Sequence, residues 1–484
     1  MTSTQEYYAI VIGAGAGGLV IAQGLGQAGK KVLLVEKGPY GGNCANFGCI
    51  PSSSLIASAN MAHELYSSAL FGIDMRMENF NANRVFQRVR AIIFQVREKY
   101  SPQMLQKQGV ETCSGSCVFV DPYTVEIEFS DGQRRKVSAK YIVIAAGSYP
   151  YIPEIKGLNE VPYLTSYNIF DLQEIPTSLA IIGGGQSGCE LAQTFRRLGS
   201  RVVLIEQKEC LLGTEEPEAY KAIQSTLVKE GVEIYLGHQV VHIRHDSGKI
   251  SFNLRRRTDE KEYEVSAQQL LLTTGRRPNI SNLGLDYAGV DYKEEGIVVD
   301  AYGRTSQLHI WAVGDVTGHS FYTHAAENQA RTILSNLLWP WPIQFKMDRL
   351  QPIPRVIYTD PEIASIGLTE EEAIEKYGAA KIAVYLVPLT EADRAICQGR
   401  TDGFVKFVTK RYSSKILGAT IVAPVAADML LEISCAMRYN IPLRKLSSLI
   451  HPFPTYSQII RKAADKWLSD TIYPLFTKLF SIGR

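Results

Sequence analysis

The chain has 484 residues, 45% of them hydrophobic and 21% charged, a globular composition that excludes disordered and collagen-like sequence. Lys and Arg total 51 against 49 for Asp and Glu, a net charge of +2, which gives no basic field for nucleic acid. The 8 cysteines are too few for a disulfide scaffold, so paired cysteines point to catalysis or metal binding in a reducing, cytoplasmic setting. The longest apolar stretches, such as Ile416 to Ala427, fall short of the roughly 20 residues of a membrane span. The uncharged stretch Ala9 to Ala28 follows Glu6 without a basic leader, unlike a signal peptide.

In chain order, the first segment reads as strand, glycine turn, helix, strand. Tyr8 to Ile12 is a continuous apolar run of the kind buried in parallel sheets. Gly13-Ala-Gly15-Ala-Gly17-Gly18 follows, then a helix to Gly29 and a strand Val32 to Val35 ended by Glu36. A helical region spans roughly Pro51 to Gln108. An alternating stretch from Cys117 to Val137 carries the turn signals Asp121-Pro122 and Asp131-Gly132. The opening pattern then recurs as Leu179 to Ile182, Gly183-Gly-Gly185-Gln-Ser-Gly188, a helix to Leu198, Val202 to Ile205, and Glu206. A strand-rich stretch leads to Ile310-Trp-Ala-Val313-Gly-Asp315. Beyond about Gln351, Phe404 to Val408 and Ile416 to Val422 read as antiparallel strands and Ala426 to Tyr439 as a helix, an α+β module of its own. The expected architecture is α/β, with two Rossmann-like dinucleotide-binding domains and a C-terminal α+β domain.

Each glycine triplet has a mechanical reading. Gly13 and Gly183 allow the tight turn, Gly15 and Gly185 let backbone approach a pyrophosphate, and Gly18 and Gly188 let helix pack on strand. The helix N-terminus then faces the phosphates. Glu36 and Glu206 end the second strand of each unit, where a carboxylate accepts hydrogen bonds from a ribose. Two such units predict a flavin dinucleotide held permanently and a nicotinamide dinucleotide that comes and goes. Glu206 favours a free 2′-hydroxyl, so NADH is expected in preference to NADPH, with Lys208 arguing the other way.

Cys44 and Cys49 fall just after the first ribose carboxylate, in Gly41-Gly-Asn-Cys44-Ala-Asn-Phe-Gly-Cys49-Ile-Pro51. A structural zinc site needs two further ligands. Cys113 and Cys117 are the candidates, but they lie in a predicted strand region, so no metal is expected. A redox disulfide beside a flavin accounts for the position better, with the N-terminus of the following helix favouring a thiolate.

With these motifs in place, the whole chain resembles the pyridine nucleotide-disulfide oxidoreductases of the dihydrolipoamide dehydrogenase, glutathione reductase and mercuric reductase type. The cysteine segment resembles the family's GGxCxNxGCxPS, and Ala145-Ala-Gly147-Ser148-x-Pro150 its second flavin motif, with Ala146 where Thr is usual. Thr274-Gly275-Arg276-Arg277-Pro278-Asn279, Ala312-Val-Gly314-Asp315 and His451-Pro-Phe-Pro454-Thr455 match further motifs. The resemblance implies a homodimer that takes hydride from NAD(P)H onto FAD and reduces a Cys44–Cys49 disulfide, which in turn reduces an external acceptor. It implies that Cys44 exchanges with substrate and Cys49 lies next to the flavin. It places Asp315 on the ribityl chain, Gly115, Gly147 and Gly275 among the cofactor-binding residues, and Glu190 near flavin and nicotinamide. His451 would reach the partner's disulfide as its acid-base group.

Departures from the family pattern carry their own expectations. The family's usual Lys is replaced by Ser53, which leaves Glu190 without its cation. The usual carboxylate partner of the catalytic His is replaced by Gln458, so His451 is expected to be a weaker acid-base group. Slow turnover of ordinary disulfides follows, with an acceptor that needs less proton transfer, such as a metal ion or quinone. The segment Pro388 to Ala395 is similar to the mercuric-reductase-like branch. The expected domains are 1–150 (FAD, first part), 151–277 (NAD(P)), 278–348 (FAD and central, second part) and 349–484 (dimerisation). Two other functions stay open. One is a flavin reductase of quinones, metal ions or oxygen that bypasses the cysteines. The other is a docking subunit of a multienzyme complex, against which stands the lack of any lipoyl or peripheral-binding module. The apolar C-terminal extension (Trp467, Leu468, Ile472, Tyr473, Leu475, Phe476, Leu479, Phe480) is expected to pack on the dimer module rather than lie on a membrane surface.

Overall fold

A computed structural model of the chain describes residues 6–75, 80–246, 248–339, 342–347 and 352–474. The first unit comprises β1 (Glu6–Ile12), α1 (Ala16–Gln27), β2 (Val32–Glu36), the short α2 (Gly42–Asn46), α3 (Cys49–Ser67), α4 (Ala82–Glu98), α5 (Pro102–Lys107), β3 (Val110–Ser114), β4 (Ser116–Asp121), β5 (Thr124–Glu128), β6 (Arg134–Ile144) and β7 (Ser148–Pro150). Its sheet runs β3-β2-β1-β6-β5-β4. Pairing is parallel from β3 to β6 and antiparallel from there to β4. The continuous apolar runs occupy the parallel centre, which is covered on both faces: Ile10 lies in register between Leu33 and Ile142, all fully buried.

The second unit repeats the plan with β8 (Ser178–Ile182), α6 (Gln186–Arg197), β9 (Arg201–Glu206), α7 (Pro217–Lys229) and β10 (Glu233–Leu236). An antiparallel layer of β11 (His238–Asp246), β12 (Lys249–Arg256) and β13 (Glu262–Ala267) follows, and then β14 (Gln269–Leu272). The parallel order is β10-β9-β8-β14, and Ile181 between Leu204 and Leu271 takes the place that Ile10 has in the first sheet. This unit is an insertion. On leaving it the chain forms β15 (Arg276–Pro278), antiparallel to β7. After α8 (Leu285–Ala288), β16 (Tyr292–Lys293) and β17 (Gly296–Ile297), β18 (Ile310–Ala312) rejoins the first sheet beside β6. Helix α9 (Thr323–Leu338) then packs on α1.

The C-terminal module contains β19 (Arg355–Ile357), β20 (Glu362–Gly367), α10 (Glu370–Tyr377), β21 (Ile382–Pro388), α11 (Asp393–Cys397), β22 (Phe404–Lys410), β23 (Ile416–Ala423), α12 (Ala426–Arg438), α13 (Leu443–Leu446) and α14 (Gln458–Trp467). Its antiparallel sheet runs β19-β20-β23-β22-β21. Helix α12 buries Met429, Leu430 and Ile433 against β20 and β23, while α14 buries Ile459, Ile460 and Trp467 against β21 and β22. The expected α/β architecture with a C-terminal α+β domain is therefore present. Of the extension, Trp467, Leu468 and Ile472 pack into the core of this module. Leu475, Phe476, Leu479 and Phe480 lie outside the described residues. Among the described residues no helix is long and apolar enough to cross a membrane.

Candidate active site

The two glycine turns are superimposable in their chemistry. Gly13 has φ +105°, and a Cβ there would sit 2.3 Å from the Ala145 carbonyl oxygen; a Cβ on Gly18 would sit 1.9 Å from the Gly13 oxygen. Only glycine permits this turn and this approach of α1 to β1. Gly183 (φ +113°) and Gly188 repeat both constraints in the second unit. Glu36 accepts the Ala14 N–H on Oε2 at 2.6 Å and the Gly38 N–H on Oε1 at 2.8 Å. Glu206 accepts the Gly184 N–H at 2.6 Å and the Lys208 N–H at 2.9 Å in the same way. Each carboxylate is thus fixed at the mouth of its turn with lone pairs left for a ribose. Gly15 and Gly185 cap α1 and α6; Gly185 has open space around it, and Gly15 faces the backbone of Gly42. The Gly115 N–H donates to the Glu36 carbonyl at 2.9 Å, which holds β3 and the following turn beside the ribose end. Gly147 and Gly275 flank the two crossings between units. The Gly147 carbonyl accepts from the Asn279 N–H and the Gly275 carbonyl from the Tyr151 N–H, each at 2.9 Å.

In the second unit a cleft of about 160 Å³ runs along Gly184, Gly185, Gln186, Glu206 and Lys208, and is closed from the other side by Tyr322 and Arg355. Arg355 reaches it from β19, its Nε donating to Glu215 at 2.9 Å. Behind the lining residue Gln186, Glu190 is 6% exposed. Its Oε1 accepts from Gln186 Nε2 at 3.2 Å and from the Tyr358 N–H at 2.9 Å. Burial pushes this carboxyl up to about 7, the two hydrogen bonds only partly offsetting it, and the charge of Cys49 adds to the rise. Ser53 is exposed on α3, and neutral donors serve Glu190 where the family's cation was expected.

Cys44 lies on α2 and Cys49 begins α3, the two helices meeting at Gly48. Asn43 holds α2 in place by donating to the Ser148 carbonyl at 2.7 Å. The two sulfurs are unbridged in this structure. They are hydrogen-bonded to each other, and this bond is the main reason that Cys49 is pulled down to about 6. Burial opposes that shift, while Thr323 and the Arg276 charge add to it. The same bond, together with burial, pushes the Cys44 thiol well above its usual range. Cys49 Sγ is 3.8 Å from the hydroxyl of Thr323 at the start of α9. Arg276 donates to Ser148 Oγ at 2.7 Å and to the Ser148 carbonyl at 2.8 Å, and Ser148 Oγ donates to Asp315 Oδ2 at 2.5 Å. Burial raises the Asp315 carboxyl; the Ser148 bond and Arg276 counter it. The geometry therefore gathers Cys44, Cys49, Asp315 and Glu190 around the meeting point of the two dinucleotide units. Thr323, Gln186, Tyr358 and Arg355 belong there too, and no motif in the sequence marked them. Cys113 and Cys117 are buried on β3 and β4 with thiols pushed upward. Among the described residues no group of three His, Cys, Asp or Glu side chains could hold a metal.

His451 differs from expectation. Its Nε2 lies 3.2 Å from both carboxylate oxygens of Glu432, and Nδ1 lies 3.3 Å from the Leu449 carbonyl. Gln458 is buried at the start of α14, and among the described contacts it makes no hydrogen bond to His451. The neutral partner inferred for His451 is thus corrected: a carboxylate reaches the ring from α12, an element that spacing from the His could not reveal. Leu431, Ile450 and Phe453 around it are 68%, 97% and 72% exposed.

Comparison with known proteins agrees with this geometry. The family profile described as pyridine nucleotide-disulphide oxidoreductase matches residues 7–330, and that of the family's dimerisation domain matches residues 353–464. A mercuric reductase of Streptomyces lividans is 33% identical over 466 residues, covering 96% of this chain and 97% of the relative. A dihydrolipoyl dehydrogenase of Bacillus subtilis is 30% identical over 468 residues, covering 95% and 97%. Among solved structures, the Cu(II) complex of the HOCl-induced flavoprotein disulfide reductase RclA from Escherichia coli superposes with a TM-score of 0.86. It is 25% identical and covers 96% of this chain and 100% of that one.

Proposed function

The chain belongs to the pyridine nucleotide-disulphide oxidoreductases, FAD enzymes that oxidise or reduce NAD(P)(H), and on that premise we propose that it uses NADH to reduce a metal ion or small disulfide through Cys44 and Cys49. Residues 1–150 and 278–348 are assigned to FAD, 151–277 to the nicotinamide coenzyme and 349–484 to dimerisation, in a cytoplasmic homodimer. The observation that supports the reading is the packing of α3, which begins at Cys49, against α6, whose first residues line the coenzyme cleft.

The residues present fit FAD. A side chain on Gly13 or Gly18 would fill the turn, Glu36 is fixed with free lone pairs, and the buried Asp315 is available to a ribityl hydroxyl. Bound FAD supplies two-electron transfer between the coenzyme side and the thiol side. The chain's own residues do the rest. Cys49 rests as a thiolate under Arg276 and Thr323, and Cys44 keeps its proton. His451, held by Glu432, would serve the cysteine pair of a second subunit as its acid-base group; the exposed apolar residues beside it and the dimerisation match support that arrangement. Glu206 supports the NADH preference by repelling a 2′-phosphate.

Mercuric reductase relatives and a neighbour described as a Cu(II) complex support a metal ion as acceptor, which this chain would hold on the cysteine pair itself. The test is steady-state assay of the purified holoenzyme with NADH and NADPH against Hg(II), Cu(II), lipoamide, glutathione disulfide and a quinone. NADH should exceed NADPH in kcat/KM by about tenfold or more. Cys44→Ser and Cys49→Ser should each abolish metal and disulfide reduction while quinone reduction survives. Undiminished metal reduction in both variants would leave the cysteines outside the electron path.

A further inference from the structure

Tyr167 lies on the connection between β7 and β8, where the chain enters the second unit. Three residues earlier, Leu164 pairs with β14: its N–H donates to the Leu270 carbonyl at 2.7 Å, and its carbonyl accepts from the Leu272 N–H at 2.9 Å. Side chains close the turn that follows. Asn168 Oδ1 accepts from the Thr165 N–H at 2.8 Å, and Thr165 Oγ1 accepts from the Tyr167 N–H at 3.2 Å. The backbone of Tyr167 is thus fixed to the second unit, while its ring reaches back to the first. It meets Phe47 edge to face, with centroids 5.0 Å apart and planes at 74°. Its hydroxyl donates to the Ser148 carbonyl at 3.4 Å. That carbonyl already takes shorter bonds from Asn43 at 2.7 Å and Arg276 at 2.8 Å, so the ring is the stronger part of the contact.

Phe47 stands between the two cysteines. It ends α2, its N–H donating to the Asn43 carbonyl at 2.8 Å, and only Gly48 separates it from Cys49. Glycine restricts the chain little, so the angle between α2 and α3, which sets how Cys44 meets Cys49, depends on contacts from outside the loop. An edge-to-face aromatic pair supplies attraction beyond its buried area. We propose that Tyr167 is a positioning residue for the cysteine pair: its ring, anchored in the second unit, holds Phe47 and with it the end of α2, so that Cys44 stays aimed at Cys49. The inference rests on reading Cys44 and Cys49 as the redox pair. Closing the disulfide turns two thiols into one S–S bond and releases two electrons and two protons. Sulfurs already held together form that bond with less loss of chain freedom. Without the ring, the dithiol gains freedom that the bridged form cannot use, and the pair becomes easier to reduce.

Anaerobic equilibration of the oxidised holoenzyme in mixtures of reduced and oxidised dithiothreitol tests this, with the bridged fraction read by alkylation and mass. Reduced dithiothreitol closes to its own disulfide and supplies the two electrons and two protons that the enzyme disulfide takes. Tyr167→Leu removes the ring, Tyr167→Phe keeps it without the hydroxyl, and Phe47→Leu removes its partner and keeps the test open should Tyr167→Leu fail to take up FAD. Tyr167→Leu and Phe47→Leu should each shift the equilibrium toward the dithiol by roughly fivefold, within what an aromatic pair contributes. The double variant should shift it no further, and Tyr167→Phe should stay within about twofold of wild type. An unshifted equilibrium in Tyr167→Leu or Phe47→Leu, or a shift in Tyr167→Phe as large as that in Tyr167→Leu, overturns the proposal and leaves the redox pair standing. If the wild-type cysteines form no disulfide in these mixtures, the reading of the pair fails and the proposal with it.

Discussion

At Cys49 the balance of local forces decides the chemistry. A buried thiol ordinarily rises in pKa, yet the hydrogen bond from Cys44, the Thr323 hydroxyl and the Arg276 guanidinium outweigh burial and bring it to about 6. A thiol titrating there becomes a thiolate as pH rises through that value, so at neutral pH the reduced pair is one thiolate and one thiol. The long-wavelength thiolate–flavin absorbance of the Cys44→Ser enzyme should therefore grow in below the usual thiol range as pH rises, because Thr323 and Arg276 remain and a serine hydroxyl can still donate. Cys49→Ser should lack the band at every pH. A band that persists in Cys49→Ser and vanishes in Cys44→Ser would exchange the two roles.

Helices α12 and α14 show how the site depends on packing between elements. The carboxylate beside His451 stands on α12, 19 residues before it in sequence, and reaches the ring through the packing of segments that are not adjacent in the chain. A carboxylate at 3.2 Å from Nε2 orients the ring. Glu432→Gln should lower turnover with a disulfide acceptor by about tenfold, the low side of what a positioned acid-base group contributes, and leave flavin reduction by NADH unaltered. Gln458→Glu should gain little, since a carboxylate already reaches the ring; a large gain would show that Glu432 is no substitute. The same contrast explains what the sequence revealed. Gly13, Gly18, Gly183 and Gly188 were legible because a single backbone turn demands them, and Glu36 and Glu206 because each ends the strand adjoining its turn. Buried parallel strands were legible from their apolar runs. Glu432, Thr323 and the Phe47–Tyr167 contact were not, because each is a meeting of segments far apart in the chain that no local periodicity encodes.

On the scale of the whole molecule, the coenzyme cleft exists only while the second unit stays fixed to the C-terminal module, and buried charges do the fixing. Lys406 on β22 is 2% exposed, and its ammonium lies 3.0 Å from Glu216, 2.9 Å from Glu218 and 2.8 Å from Glu370. Glu216 and Glu218 start α7 of the second unit, and Glu370 starts α10 of the module. Burial lowers the Lys406 pKa, but the three carboxylates outweigh it and raise it above the usual lysine range. Glu216 also accepts the Glu370 N–H at 2.7 Å, so the same carboxylate anchors the first turn of α10. Arg197 makes a second tie, bonding Glu230 at 2.6 Å and Asp360 at 3.0 Å. Replacing Lys406 with Met fits the space but leaves three carboxylates facing one another. The cost should be about 3 kcal/mol, the low end for a broken buried pair, because Glu218 and Glu370 are partly exposed. Like charges left close together without their cation destabilise the fold while they are ionised. The loss in thermal unfolding temperature should therefore be greatest at neutral pH and shrink toward about pH 4 as they protonate. Glu216→Gln added to Lys406→Met should recover part of it. NADH should bind the single variant more weakly, since Arg355 and Ile357 line the cleft from the module that Lys406 holds. A pH-independent loss would mean that lost packing, rather than uncompensated charge, is what the lysine prevents.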